Sequence, residues 1–144
     1  MLDVLKYWRN KGIAGHRILA FVQVNQKNPT QVTQAINLFG GLYAGFALPK
    51  SCRAQIGKIW DVDVSPNGDP GSWGGHAVYM PTYSPTRLVC VTWAQLQQMT
   101  QAFFREYADE CYGIVTQDWI AKNKLSPSGF DVNALLADLN ALGQ

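Results

Sequence analysis

Charged side chains are scarce in this sequence. They make up 15% of its residues, 12 Lys and Arg against 10 Asp and Glu, for a net charge of +2. The basic residues Lys6, Arg9, Lys11, Arg17, Lys50, Arg53 and Lys58 are scattered through the first half and form no run. That pattern excludes electrostatically driven nucleic-acid binding. Long hydrophobic runs are also missing: nowhere do about 18 apolar residues stand together. The N-terminus, Met1-Leu-Asp-Val-Leu-Lys-Tyr-Trp-Arg, has an acid at position 3 and no apolar stretch of signal-peptide length. These absences predict a soluble, cytoplasmic chain with no membrane and no nucleic-acid partner. Cysteine is limited to Cys52, Cys90 and Cys111, an odd number at wide spacing with no C-x-x-C pair. Neither a disulfide framework nor a zinc site fits that spacing, so free thiols are expected, with no metal and no cofactor.

What the chain does have is apolar material. Hydrophobic residues are 47% of the total, with Trp 5, Tyr 6 and Phe 6, enough to build the core of one domain over residues 1–144. Leu2, Leu5, Tyr7 and Trp8 recur at near-helical spacing before Asn10-Lys-Gly12, which predicts a short helix. Ile18 to Val24 is β-rich and runs into a turn-prone stretch ending at Pro29. Asn28-Pro29-Thr30 is a helix-start signal; Val32, Ala35, Ile36 and Phe39 then share one face until Gly40-Gly41 stops the helix. Leu42 to Leu48 reads as a buried strand, and residues 65–74 as the longest loop. His76 to Tyr83 and Arg87 to Trp93, joined by Ser84-Pro85-Thr86, predict a hairpin in which Pro81 marks an edge or a bulge. Leu96, Met99, Phe103 and Tyr107 predict a helix over 93–108, with Phe104 off its apolar face and open to contact. A short strand over Tyr112 to Thr116 and a terminal helix from Asp131 to Leu142, closed by Gly143, complete the reading. No repeat or interdomain linker is present.

Trp73-Gly-Gly-His-Ala-Val78 carries the chemistry. A histidine at the mouth of a strand, just after a diglycine, can face a cleft while the strand holds it rigid, as a general base requires. The other reading of His76 is a strand-edge histidine bonded to backbone. No nucleophile of the expected kind accompanies it. Cys52 follows Leu48-Pro49-Lys50-Ser51 in a surface excursion and opens no long helix; Cys90 falls in a strand and Cys111 near a helix end. Gly71-Ser72-Trp73 is not a nucleophile elbow. His16 reads as a turn residue, and Asp109-Glu110 as a solvated helix terminus. Trp60 and Trp73 flank the Gly/Pro-rich excursion and read as a lid or as binding anchors, with Trp93 beside them.

The order of these elements resembles the second half of papain-like cysteine peptidases. The match runs over residues 30–93: a helix-strand unit (Gln31 to Leu48), a polar excursion, Gly-Gly-His-Ala-Val, a hairpin, and a strand ending in Thr92-Trp93. The resemblance implies an α+β half-domain, an antiparallel sheet or partial barrel with flanking helices, followed by a helical extension over 94–144. It also implies His76 as the catalytic imidazole and Trp93 as the ring that shields it. Where the family has an orienting Asn, this chain has Thr92 counting from His76, or Val91 counting back from Trp93. Thr92 can hold the imidazole through its hydroxyl, whereas Val91 cannot. The cysteine-bearing helix that precedes the histidine in the family has no counterpart. Two readings follow: a peptidase-related domain without activity as this chain, truncated or degenerate, or a stand-alone protein-binding or inhibitor module of the kind phages and mobile elements carry. Either way a protein or peptide partner is expected, and a homodimer is one form it takes, because an apolar wall lacking its other half needs cover.

Overall fold

The computed structural model describes residues 1–116 and, beyond them, only positions 129, 131, 133, 134, 137 and 141. The expected terminal helix therefore lies largely outside the described residues. Its proposed cap, Asp131, does accept the backbone N–H of Asn133.

Helix α1 (Leu2–Asn10) buries Leu5. Strand β1 (Ile18–Gln23) follows, then α2 (Pro29–Phe39) and β2 (Leu42–Leu48). The α2 boundaries are those the sequence predicts. The Asn28 side chain accepts the Gln31 N–H, Pro29 occupies the first turn, and Gly40 ends the helix at φ 72°, a left-handed conformation that suits glycine. Its face of Val32, Ala35, Ile36 and Phe39 packs into the core. The polar excursion holds two 3₁₀ turns, Lys50–Gln55 and Pro66–Gly68. Strands β3 (Gly74–Tyr83), β4 (Arg87–Thr92) and β5 (Gln95–Thr100), helix α3 (Gln101–Tyr107) and strand β6 (Ala108–Thr116) complete the described elements.

The six strands form one sheet in the order β1-β6-β2-β3-β4-β5, every named pair antiparallel. The sheet is open, not closed into a barrel, and the architecture is α+β as expected. The β3–β4 register shifts between Tyr79 and Thr82, the bulge that Pro81 announces. One face carries the core: Leu42, Ala44, Phe46 and Leu48 of β2, Val78 and Met80 of β3, and Leu88 and Cys90 of β4 meet α2 and α3. On the other face α1 covers a smaller cluster of Leu5, Ile18 and Tyr112.

Four expectations are corrected. Residues 93–108 are not one helix: β5 takes Gln95–Thr100, and only Gln101–Tyr107 is helical. Residues 94–116 accordingly contribute two strands to the sheet, not a helical extension, with β6 inserted between β1 and β2. Phe104 is 1% exposed and packs edge-on against Phe46 at 5.8 Å, so it is core and not an outward contact. Glu110 lies within β6, where its carboxylate meets the Met1 ammonium at 2.6 Å. Burial alone would raise this carboxyl, but hydrogen bonds from the ammonium and from the Tyr112 hydroxyl outweigh it and hold the group below its ordinary range.

Candidate active site around His76

β3 begins where the excursion rejoins the sheet. Gly71 donates to the Ala47 carbonyl, Trp73 to the Leu48 carbonyl, and Lys50 to the Ser72 hydroxyl. These bonds tie residues 71–73 to the end of β2. Gly74 then turns into the strand at φ 138°, a backbone conformation few side-chain-bearing residues adopt. Strand alternation puts His76 on the same face as Val78 and Met80, but at the open end of the sheet, opposite Phe46 of β2. The neighbouring strand β4 alternates in the same way, so Leu88, Cys90 and Thr92 turn inward and Thr92 is buried.

The two ends meet. The Nε2 of His76 lies 2.6 Å from the Thr92 hydroxyl oxygen. No hydrogen bond reaches Nδ1 from any described residue. A hydroxyl both donates and accepts, so this contact fixes the plane of the ring without fixing its tautomer; a carbonyl acceptor would fix both. Trp93 lies flat on the imidazole, ring centroids 4.7 Å apart and planes 17° apart. Burial lowers the His76 pKa from its ordinary value, so the ring is neutral at pH 7.

Trp93 gets there through a two-residue turn between β4 and β5, with φ 45° at Trp93 and φ 60° at Ala94. Both residues are left-handed, where glycine or asparagine would normally stand, so the turn carries backbone strain of roughly 1–2 kcal/mol per residue. Such strain persists where surrounding contacts over-determine it. Here Trp93 meets Trp73 at 5.3 Å and the edge of Trp60 at 6.0 Å, and the Arg53 guanidinium lies 5.2 Å over Trp73. Leu48, Trp73, Gly74, Gly75, His76 and Trp93 together line a shallow cleft of about 200 Å³. A larger cavity of about 430 Å³, bordered by Trp8, Tyr43, Tyr79 and Ile114, has no imidazole, carboxylate or thiol in its lining.

Of the residues singled out in the sequence, His76, Thr92, Trp73 and Trp93 come together. Trp60 joins them only from behind: it is 0% exposed, so it offers no surface to a partner. The reading of Cys52 is corrected as well. The residue lies in the first 3₁₀ turn, fully buried instead of sitting on a surface excursion. Burial, and secondarily the neighbouring Cys90, pushes its thiol up to about 12. Burial does the same to Cys90 and Cys111, each to about 12. Cys111 sits within β6, the strand that follows the end of α3 directly. All three are protonated, unreactive core thiols at neutral pH. Among the described residues no group of His, Cys, Asp and Glu is arranged to hold a metal ion, and no helix is long and apolar enough to cross a membrane. Arg53 and the strained turn were not visible in the sequence. Arg53 meets Trp73 across the excursion, and Thr92-Trp-Ala-Gln95 has no turn residue to signal the turn.

No protein-family model matches this chain, and no curated protein matches it. Among solved structures it is similar to xylellain, a cysteine protease from Xylella fastidiosa, at 18% identity and a TM-score of 0.53. The match covers 69% of this chain and 41% of that one, so this chain spans less than half the length of the protein it resembles. The likeness is one of fold: an α+β scaffold of the kind on which that protease is built.

Proposed function

We propose that this chain is a cysteine-peptidase-related unit that retains the imidazole side of the catalytic pair and cleaves nothing by itself. One observation carries the reading. His76 is oriented by Thr92 and roofed by Trp93 at the mouth of a cleft, while each of the three thiols is buried and protonated. A neutral imidazole with a free nitrogen is a competent base. Among the described residues no thiol lies beside it, and the one hydroxyl that does, Thr92, is buried as the ring's own hydrogen-bond partner, so the imidazole has no accessible nucleophile to activate. Thr92 in place of a carbonyl acceptor weakens the arrangement further, since the ring is held in plane but free to exchange tautomers. Any thiol that reacts here must come from another segment or another chain.

The experiment is turnover of dye-labelled, heat-unfolded casein by the purified chain and by His76→Ala. No release above the blank is expected from either protein. Release by the parent that disappears in His76→Ala would overturn the reading.

A second reading, a stand-alone binding or inhibitor module on the same scaffold, is favoured by the aromatic rim. Trp93 is 46% exposed beside the half-buried Trp73, and exposed tryptophans at a cleft are the residues that anchor a protein partner.

A further inference from the structure

We infer that Trp60 is a positioning residue for His76: from inside the core it braces Trp93 in its strained turn and so fixes the ring that lies on the imidazole. This stands on the geometry alone and does not depend on whether the chain cleaves or binds.

Trp60 sits outside the named strands but is stitched to β5. Its N–H donates to the Gln98 carbonyl and its carbonyl accepts from Thr100, each at 2.9 Å. The approach to it is clamped by Gln97, a 1%-exposed side chain in β5. The Gln97 side-chain oxygen accepts from Gly57 at 3.2 Å, and its nitrogen donates to the carbonyls of Lys58 and Gln98. A buried amide with both ends bonded holds the 57–60 backbone against the sheet edge. The indole so placed meets Phe103 at 5.3 Å on the core side and Trp93 at 6.0 Å on the other.

The Trp60 ring therefore bridges α3 and the turn. Its own N–H has no hydrogen-bond partner among the described residues. Burying a donor that way opposes folding by about 1–3 kcal/mol. Stability alone would favour a phenylalanine or leucine at this position; what the indole adds is reach to Trp93. Trp93 and Ala94 are both left-handed, and a turn of that kind relaxes when the contacts opposing it are removed. With Trp60 shortened, Trp93 keeps only Trp73 beside it, loses its support from the core side, and swings off His76.

The test is the ring-current shift of the His76 ring protons, read by NMR in Trp60→Leu, Trp60→Phe and, as a control for lost stability, Ile36→Ala, a buried position of α2. Trp93 stacked at 4.7 Å shifts those protons upfield in the parent. Trp60→Leu is expected to cut the shift to less than half, Trp60→Phe to cut it less, and Ile36→Ala to leave it in place. Where Trp60→Leu does not fold, Trp60→Phe decides: a shift reduced beyond the Ile36→Ala value supports the inference. A His76 shift in the folded Trp60 variant equal to that in Ile36→Ala overturns it.

Discussion

His76 owes its character to two neighbours with different jobs. Thr92 holds Nε2 at 2.6 Å and sets the plane of the ring; Trp93 covers its face and keeps water off. Desolvation favours the neutral imidazole, so the His76 pKa lies below its ordinary 6.5. Between 6.5 and the lowered value the unfolded chain binds the proton more readily than the folded one. This contribution to stability is therefore complete above 6.5 and is lost as pH falls through the folded value. Removing the cover reverses the shift. In Trp93→Ala the His76 pKa, followed by NMR titration of its ring protons, is expected to rise toward 6.5. A value unchanged from the parent would show that Trp93 does not control hydration of the ring. The histidine was legible in the sequence because a diglycine followed by alternating apolar residues marks a strand mouth. The thiols were half legible: their spacing excluded a disulfide framework, but the burial of Cys52 depends on the fold of the whole excursion.

At the level of elements, the segment from Gln95 to Thr100 shows where sequence periodicity fails. Leu96, Met99, Phe103 and Tyr107 recur at helical spacing, yet in β5 Leu96 is 70% exposed and Met99 fully buried, on opposite faces of the strand. The inward partner of Met99 is Gln97, a polar residue whose amide is satisfied by backbone. A buried glutamine disguises strand alternation, because period two is recognised by apolar residues on one face. The opposite case is α2, where cap, proline and terminating glycine agree with the apolar face, and the boundaries follow from local chemistry. Two substitutions separate strand from helix in 95–100. Leu96→Lys is expected to change stability by no more than about 0.5 kcal/mol, and Met99→Ala to lower it by about 2–5 kcal/mol. Chemical denaturation checks both, and a large loss from Leu96→Lys would restore the helical packing that the spacing suggests.

Across the whole molecule, the sheet order could not be read from the sequence. The β3-β4-β5 meander follows from short turns between successive strands, but β2 reaches β3 only through the long excursion over 49–73, and the insertion of β6 between β1 and β2 is a long-range pairing without a local signal. That insertion is what buries Cys111, just as the excursion buries Cys52 and the inward face of β4 buries Cys90. The fold thus gathers an imidazole at its open end and withdraws every thiol into its interior, which is the physical basis for expecting no cleavage by this chain. Alkylation of the native protein by iodoacetamide between pH 7 and 9, read by intact mass, tests this most directly. No fast-reacting cysteine is expected in the native state, all three are labelled in denaturant, and His76→Ala gives the same result. One cysteine alkylated stoichiometrically at pH 7 in the native protein, and protected from labelling in His76→Ala, would contradict it.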